Sequence, residues 1–287
     1  MTPCLRIRRL TRADLPFADE LRRLAGWNQT VSDWQRFLTT EPEGCFLAEW
    51  DGEPAGTATT TTYGTALAWV GMVLVHPGHR RRGIGRMLLG HCLDHLKALG
   101  VRCIKLDATP LGETLYRNLG FEAEWTLARW SGRATEFQAN PAGAGLRPCS
   151  STDLPGVEAL DAAAFGVTRR PLLAALRVQS TAALVLESST GCVAGFGMLR
   201  PGSRAHYLGP VVADSPQAGL DLLQGLIARS QGEPLLWDIP DSNAAAVSWA
   251  KQHGLTLERP LIRMRLGGNV APGDPQQQFA LSGPETG

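Results

Sequence analysis

The chain of 287 residues has no apolar run near the length of a membrane span, and its start, MTPCLRIRRL, lacks the apolar core of a secretion signal. It has almost no net charge, +1 at pH 7, so neither nucleic acid nor a membrane surface is expected as its main partner. Its six cysteines (4, 45, 92, 103, 149 and 192) form no C-x-x-C pair, which removes zinc-ribbon and dithiol chemistry. Single cysteines in apolar segments read as small buried hydrophobes, and a reducing cytoplasmic setting is expected. What remains is an ordinary globular composition, 44% hydrophobic and 19% charged, at a length that suits two domains.

Against that neutral background, positive charge gathers at one place. The stretch VHPGHRRRGIGRML, residues 75–88, holds four arginines and three glycines. Before it, WVGMVLV reads as a buried strand; after it, Ile84, Met87, Leu88, Leu96 and Leu99 recur at helical spacing, with Gly100 placed as a C-cap. Glycines let backbone approach a ligand closely, and a helix start presents free N–H groups that favour anions. The junction therefore reads as a phosphate-holding loop.

Two common phosphate loops are excluded. Gly78 and Gly83 have Walker A spacing, but Ile84-Gly85 follows where Lys-Ser/Thr is required. The dinucleotide fingerprint needs a third glycine where Leu88 stands, and no opening strand at the chain start supports it. Arg80-Arg81-Arg82-Gly83-Ile84-Gly85, between VLVHP and an amphipathic helix, resembles the R/Q-x-x-G-x-G/A motif of the GNAT superfamily of N-acetyltransferases. That resemblance implies that residues Arg80 to Arg86 wrap the pyrophosphate of acetyl-CoA. It also implies that the main chain of Val73, Leu74 and Val75 pairs with the pantetheine arm like an added strand.

The sequence repeats itself. LRIRRLTRADLPFADELRRLAGW at residue 5 has a counterpart in LRPCSSTDLPGVEALDAAAFG at residue 146, each a strand, a polar cap with Asp-Leu-Pro, and a helix. LAWVGMVLVHPG matches AHYLGPVVADSP, and GETLYRNLGF matches AAAVSWAKQHGL, both helices ending at glycine. The order of elements predicts an α/β fold of two tandem GNAT-like domains, each a mixed sheet flanked by helices. The expected parts are a cofactor-binding catalytic domain at 1–132, a linker at 133–145, a diverged domain at 146–268, and a disordered or draped tail at 269–287. AGWN, LDATP before LYRNLGF, and the closing GDP…FALSGPE resemble the YitH-like branch of the superfamily. The second half has a shorter connection after VVADSP, no arginines there, and Ala250 where the first half has Tyr116. It is expected not to catalyse.

Acetyl transfer to an amine needs a polarised carbonyl, a neutral amine and a stabilised leaving thiolate. The resemblance makes Tyr116 the acid for the thiolate; the alternative is an aromatic that anchors its helix. Relatives often carry a basic glutamate on the strand before the loop, but residues 66–75 contain no acid. Asp107, at the next strand's end, is the first candidate base, with a turn-forming role as the alternative; Glu49 is the second, and a water chain to bulk is a third route for the proton. Thr109 stands where many relatives carry asparagine, while Asn243 fills the matching place in the second half. Trp27 and Asn28 fall where the first helices of the family form a lid over the acceptor. His91 and His95 have metal-ligand spacing but no third ligand, so no metal is expected. The expected activity is acetyl transfer from acetyl-CoA to a primary amine of a small metabolite, by a monomer or homodimer. A non-catalytic acetyl-CoA-binding protein and a protein lysine or N-terminal acetyltransferase are the alternatives.

Overall fold

The computed structural model describes residues 4–133 and 145–287; of the expected linker, residues 134–144 lie outside the described residues. The first half runs β1 (Leu5–Arg9), α1 (Leu15–Leu24), α2 (Val31–Thr40), β2 (Cys45–Trp50), β3 (Glu53–Tyr63), β4 (Leu67–Val75), α3 (Ile84–Ala98), β5 (Cys103–Ala108), α4 (Pro110–Arg117) and β6 (Glu122–Gly132). The second repeats it as β7 (Leu146–Pro148), α5 (Leu154–Phe165), α6 (Arg170–Gln179), β8 (Ala182–Glu187), β9 (Val193–Arg200), β10 (His206–Ala213), α7 (Pro216–Ile227), β11 (Leu235–Pro240), α8 (Ala244–Gln252) and β12 (Thr256–Gly267). A short β13 (Gln278–Ala280) follows. No helix among the described residues is long and apolar enough to cross a membrane.

The repeat holds down to single contacts. Asp14 accepts from the Thr11 N–H at 2.8 Å, and Asp153 accepts from the Ser150 N–H at 2.7 Å, each turning the chain from strand into helix. Arg8 forks onto Asp14 and reaches Glu49 at 2.6 Å; Arg147 forks onto Asp153 and reaches Glu187 at 2.9 Å. On α3, Ile84, Leu88, Leu89, Cys92 and Leu96 bury one face against the sheet, whereas Met87 and Leu99, expected on that face, are exposed. Leu222, Leu223, Leu226 and Ile227 of α7 do the same in the second half.

The two sheets are not separate. All strands join one sheet in the order β1-β2-β3-β4-β5-β12-β6-β11-β10-β9-β8-β7, with β13 added on β10. The closing strands have changed places: β12 of the second half pairs with β5, and β6 of the first half pairs with β11. The sequence ranges 1–132 and 146–268 are thus repeat units whose last strands are exchanged. Two buried forks fasten the exchange. Arg263 of β12 donates twice to Asp107 of β5, both bonds 2.9 Å, and Arg129 of β6 donates twice to Asp238 of β11 at 2.8 and 2.6 Å. Arg263 is further sandwiched between the Trp69 and Trp125 rings, 4.4 and 4.2 Å from their centroids.

The tail is neither disordered nor draped. Phe279, Ala280, Leu281, Ser282 and Thr286 are buried, and Arg169, itself forked onto Asp161, donates to the Gly287 carbonyl at 2.6 Å. Its apolar side chains pack against both halves, Leu281 against Leu127 and Leu261, so packing overrides a loop-like composition.

Removing one side of a buried fork strands the other charge, which typically costs about 3–5 kcal/mol. Arg263→Met should therefore lower the unfolding midpoint in urea sharply, and adding Asp107→Asn should recover part of the loss. Equal stability of Arg263→Met and the parent would show that the fork does not hold the exchanged strand.

Candidate active site

A cleft opens where β4 and β5 part. Their parallel ladder lasts for three pairs, Leu67–Cys103 to Trp69–Lys105, after which Val70–Val75 leave β5. Met72 sits at φ +50°, the β3–β4 register slips beside it, and Thr57 Oγ1 donates to the Met72 carbonyl at 3.0 Å. This bulge bends β4 and opens the cleft. The resulting cavity is about 310 Å³, and Val73, Val75, Gly85, Thr109, Gly112 and Tyr116 line one end of it. The Leu74 side chain is buried outside that lining.

The arginine loop borders this end. Gly83, at φ +79°, is the N-cap of α3, and no side chain caps the helix. Arg81 is also in the left-handed region at φ +61°. Arg80, Arg81, Arg82 and Arg86 are exposed, and none has a carboxylate partner among the described residues. Arg82 lies over the Trp50 ring, 5.1 Å from its centroid, and Arg80 Nε donates weakly to the Val75 carbonyl at 3.4 Å. Ile84 is buried in the core, so it can offer a ligand only backbone. An uncapped helix start beside unneutralised guanidiniums is a site for a polyanion.

Tyr116 lies on α4 with its ring against Phe121, and the missing side chain of Gly112 makes room for it: a Cβ there would stand 2.9 Å from the ring. Burial pushes its hydroxyl up to about 12. Thr109 caps α4, its Oγ1 accepting from the Gly112 N–H at 3.3 Å.

The two carboxylates expected as bases have other work. Glu49 lies outside the cavity lining and is bound by Arg8, and its repeat counterpart Glu187 is bound by Arg147 in the same way. A contact present in both halves belongs to the shared fold. Asp107 does border the cavity, but both its oxygens are held in the Arg263 fork, and Asp238 repeats that arrangement with Arg129. Asp107 thus faces the cavity with both oxygens already accepting from Arg263, and Glu49 does not face it. Asn28 also departs from expectation: its side chain ties the Arg204 and Ala205 backbone of the second half, at 2.9–3.1 Å. Trp27 lines the cavity as expected. His91 and His95 set their rings edge-on against Phe46, at 4.6 and 5.3 Å between centroids.

The far end of the cavity is built largely by residues that sequence reasoning missed: Gln29, Arg129, Arg259, Leu261, Pro284 and Glu285. Four of these follow residue 250, brought in by β12 and the tail. Around this end Arg263, Arg129, Arg36 and Arg200 each face a carboxylate, whereas Arg259 has no ion pair among the described residues.

In the second half the matching slot is filled by the chain itself. The β10–β11 ladder also lasts three pairs, His206–Leu235 to Leu208–Trp237. β13 then pairs with β10, and the Leu281 N–H donates to the Asp238 carbonyl at 3.0 Å. Asn243 donates to the Gln276 and Gln278 carbonyls at 2.9 and 3.1 Å, and Trp237 Nε1 donates to the Phe279 carbonyl at 2.8 Å. The Ser215 side chain caps α7, accepting from the Ala218 N–H at 3.4 Å. Among the described residues, that slot is therefore closed and the start of α7 is already capped.

Comparison with known proteins matches each half to one superfamily. The Acetyltransferase (GNAT) family matches residues 7–121, and an Acetyltransferase (GNAT) domain matches residues 157–280. The uncharacterised N-acetyltransferase YitH of Bacillus subtilis (strain 168) is 27% identical over 179 residues, 62% of each chain. The match thus spans less than two thirds of that protein's length. A holothin acyltransferase of Pseudoalteromonas sp. (strain SANK 73390) is 26% identical over 84% of this chain and 81% of its own. A Pyrococcus horikoshii crystal structure assigned as an acetyltransferase shares the fold with a TM-score of 0.83 at 24% identity, covering 99% of this chain and 96% of that one. With both halves matched, the chain belongs to the GNAT superfamily, as a tandem-domain acyltransferase of the YitH-like branch.

Proposed function

We propose that the chain transfers acetyl from acetyl-CoA to the primary amine of a small metabolite by direct attack in a ternary complex. The observation that carries this reading is the open β4–β5 slot ending at an uncapped, arginine-flanked helix start, while the equivalent slot is filled. Backbone N–H groups of residues 83–86 and the guanidiniums of Arg80, Arg81, Arg82 and Arg86 suit a pyrophosphate. The unpaired edge of Val73 to Val75 suits the amide-bearing arm, with Thr109 beside it. Acetyl-CoA brings the thioester that makes acetyl transfer favourable.

Among the described residues lining the cavity there is no cysteine or serine to carry the acetyl group, which supports direct attack. Tyr116 enters the reaction protonated and donates to the sulfur as charge develops there. Burial raises the proton affinity of a thiolate as well as that of the phenol, which keeps the two comparable. The unpaired Arg259 in the cavity wall opposes a polybasic peptide, so a small acceptor fits better than a lysine-rich segment. The intact loop and Tyr116 favour an enzyme over a cofactor-sensing protein.

Three results are expected. Gly83→Glu should abolish acetyl-CoA binding in calorimetry with an unchanged far-UV spectrum, since the variant strains a left-handed position and places negative charge at the anion site. Undiminished affinity in that folded variant would remove the loop from cofactor binding. Tyr116→Phe should keep acetyl-CoA affinity while turnover, followed as thiol release with pooled primary amines, drops about 10²-fold or more. Unchanged turnover with chemistry rate-limiting would leave Tyr116 a packing role. Titration of the full chain should saturate at one acetyl-CoA; two equivalents would contradict the filled second slot.

A further inference from the structure

The first half has the acid but, with Asp107 and Glu49 committed to arginines, no carboxylate of its own free to accept a proton in the cleft. One reaches the cavity from elsewhere. After β13 the chain leaves the second half's slot and crosses β4, where Trp69 Nε1 donates to the Pro284 carbonyl at 2.9 Å and Tyr63 Oη to the Thr286 carbonyl at 2.7 Å. Gly71 permits that crossing, because a Cβ there would stand 2.7 Å from the Glu285 carbonyl oxygen. Glu285 thereby lies in the wall of the same cavity as Tyr116, 5% exposed.

Its carboxylate is held differently from the others. Gln29 Nε2 donates to Oε2 at 2.9 Å, Arg36 lies 3.9 Å from Oε1, beyond hydrogen-bond length, and the residue's own backbone N–H also donates to the carboxylate. Asp107, Asp238 and Asp161 each have both oxygens in an arginine fork. Burial raises the Glu285 carboxyl above the usual carboxylate range, and Arg200 and Arg36 pull against that shift. Such a group is locked in no arginine fork and has more affinity for a proton than a solvated glutamate.

Resting on the acetyltransferase reading above, we propose that residues 278–287 form a catalytic strap, anchored by β13 in the second half's filled slot, whose Glu285 takes the proton of the acceptor ammonium in the first half. The second half then contributes to the reaction through the place where its own cofactor arm would lie. Two protons leave the acceptor nitrogen. The first passes from the ammonium to Glu285 and on to solvent, freeing the lone pair. The second leaves as the N–C bond forms and the thioester C–S bond breaks; the sulfur receives its proton from Tyr116, whose phenolate is restored by the one released from nitrogen. The products are the amide, the thiol and one proton in solution.

Glu285→Gln keeps the shape and removes the proton-accepting charge. With the best-turned-over amine from a set of phenethylamine, tyramine, cadaverine, spermidine and the common amino acids, kcat should fall about 10²-fold near neutral pH, the scale of a lost base. Acetyl-CoA affinity by calorimetry should be unchanged. The deficit should shrink as pH rises towards about 10, where an alkylamine is increasingly neutral in solution. Gln29, Asp33 and Arg36 before and on α2, Arg200 of β9, Tyr207 of β10 and Arg129 of β6 surround the site in both proteins, so the ratio of their rates isolates Glu285. A purely structural Glu285 would give a deficit that does not narrow with pH.

Phe279→Leu tests the anchor at a distance. It should raise amide hydrogen exchange at residues 282–287 and lower kcat while leaving acetyl-CoA affinity intact. If Glu285→Gln fails to fold, Phe279→Leu carries the test alone, and unchanged exchange with unchanged kcat overturns the strap. Undiminished kcat in folded Glu285→Gln overturns it as well. So does a parent that binds acetyl-CoA but acetylates no amine of the set. A parent that binds no acetyl-CoA overturns instead the acetyltransferase reading.

Discussion

The structure depends on two arginine–aspartate forks in the middle of one continuous sheet. Asp107–Arg263 and Asp238–Arg129 join strands of opposite halves, with all four side chains at most 3% exposed. Burying an ion pair is costly unless its geometry is good and every hydrogen-bonding position is used. Both pairs meet the geometric part of that condition as parallel two-bond forks, and each fixes register, because a slip of one residue would move the arginine to the other face. Their contribution is greater in specifying which strand lies next to which than in net stability. Once β12 lies beside β5, the chain that follows it begins next to the first half's cleft.

The same topology serves two ends in the two halves, and the difference lies in a few residues at one junction. In the first, β4 runs into a loop with arginines and reaches α3 at an uncapped glycine. In the second, β10 reaches α7 through Asp214 and Ser215, a short turn whose serine satisfies the helix start. An uncapped start favours a ligand with phosphate charge; a capped one has no need of it. The splayed strands of the second half still expose backbone that must be paired, and β13 supplies the partner. Self-occupation of the slot is thus a solution to an edge problem as well as an anchor.

Much of this architecture is legible in the sequence. The repeat, the strand–loop–helix junction at 75–88 and the loss of Tyr116's counterpart at Ala250 are local patterns, and local patterns survive translation into structure. The carboxylates are another matter. An acid at a strand end reads as a catalytic base until its partner is known, and the partner of Asp107 lies 156 residues away. A signal was nonetheless present: Arg8, Asp14 and Glu49 recur as Arg147, Asp153 and Glu187, and residues that recur in a half without the loop are poor candidates for chemistry. Glu285 had no such signal. Its tail has little periodicity, and nothing local shows that Gly71 leaves room for its backbone over β4.

Arg259 marks a second consequence of the strand exchange. It enters the cavity on β12, two residues before Leu261, and burial together with Arg129 holds its guanidinium below the usual arginine range. A half-buried cation without an ion pair is costly on its own account, and the fold keeps it in the cavity wall beside the fully paired Arg129. The exchanged strand therefore supplies the acceptor end with charge that the first half does not encode, just as the tail supplies its carboxylate. On the acetyltransferase reading proposed above, the far wall that the exchanged strand and tail build would set acceptor selectivity, while the first half keeps the loop and the tyrosine.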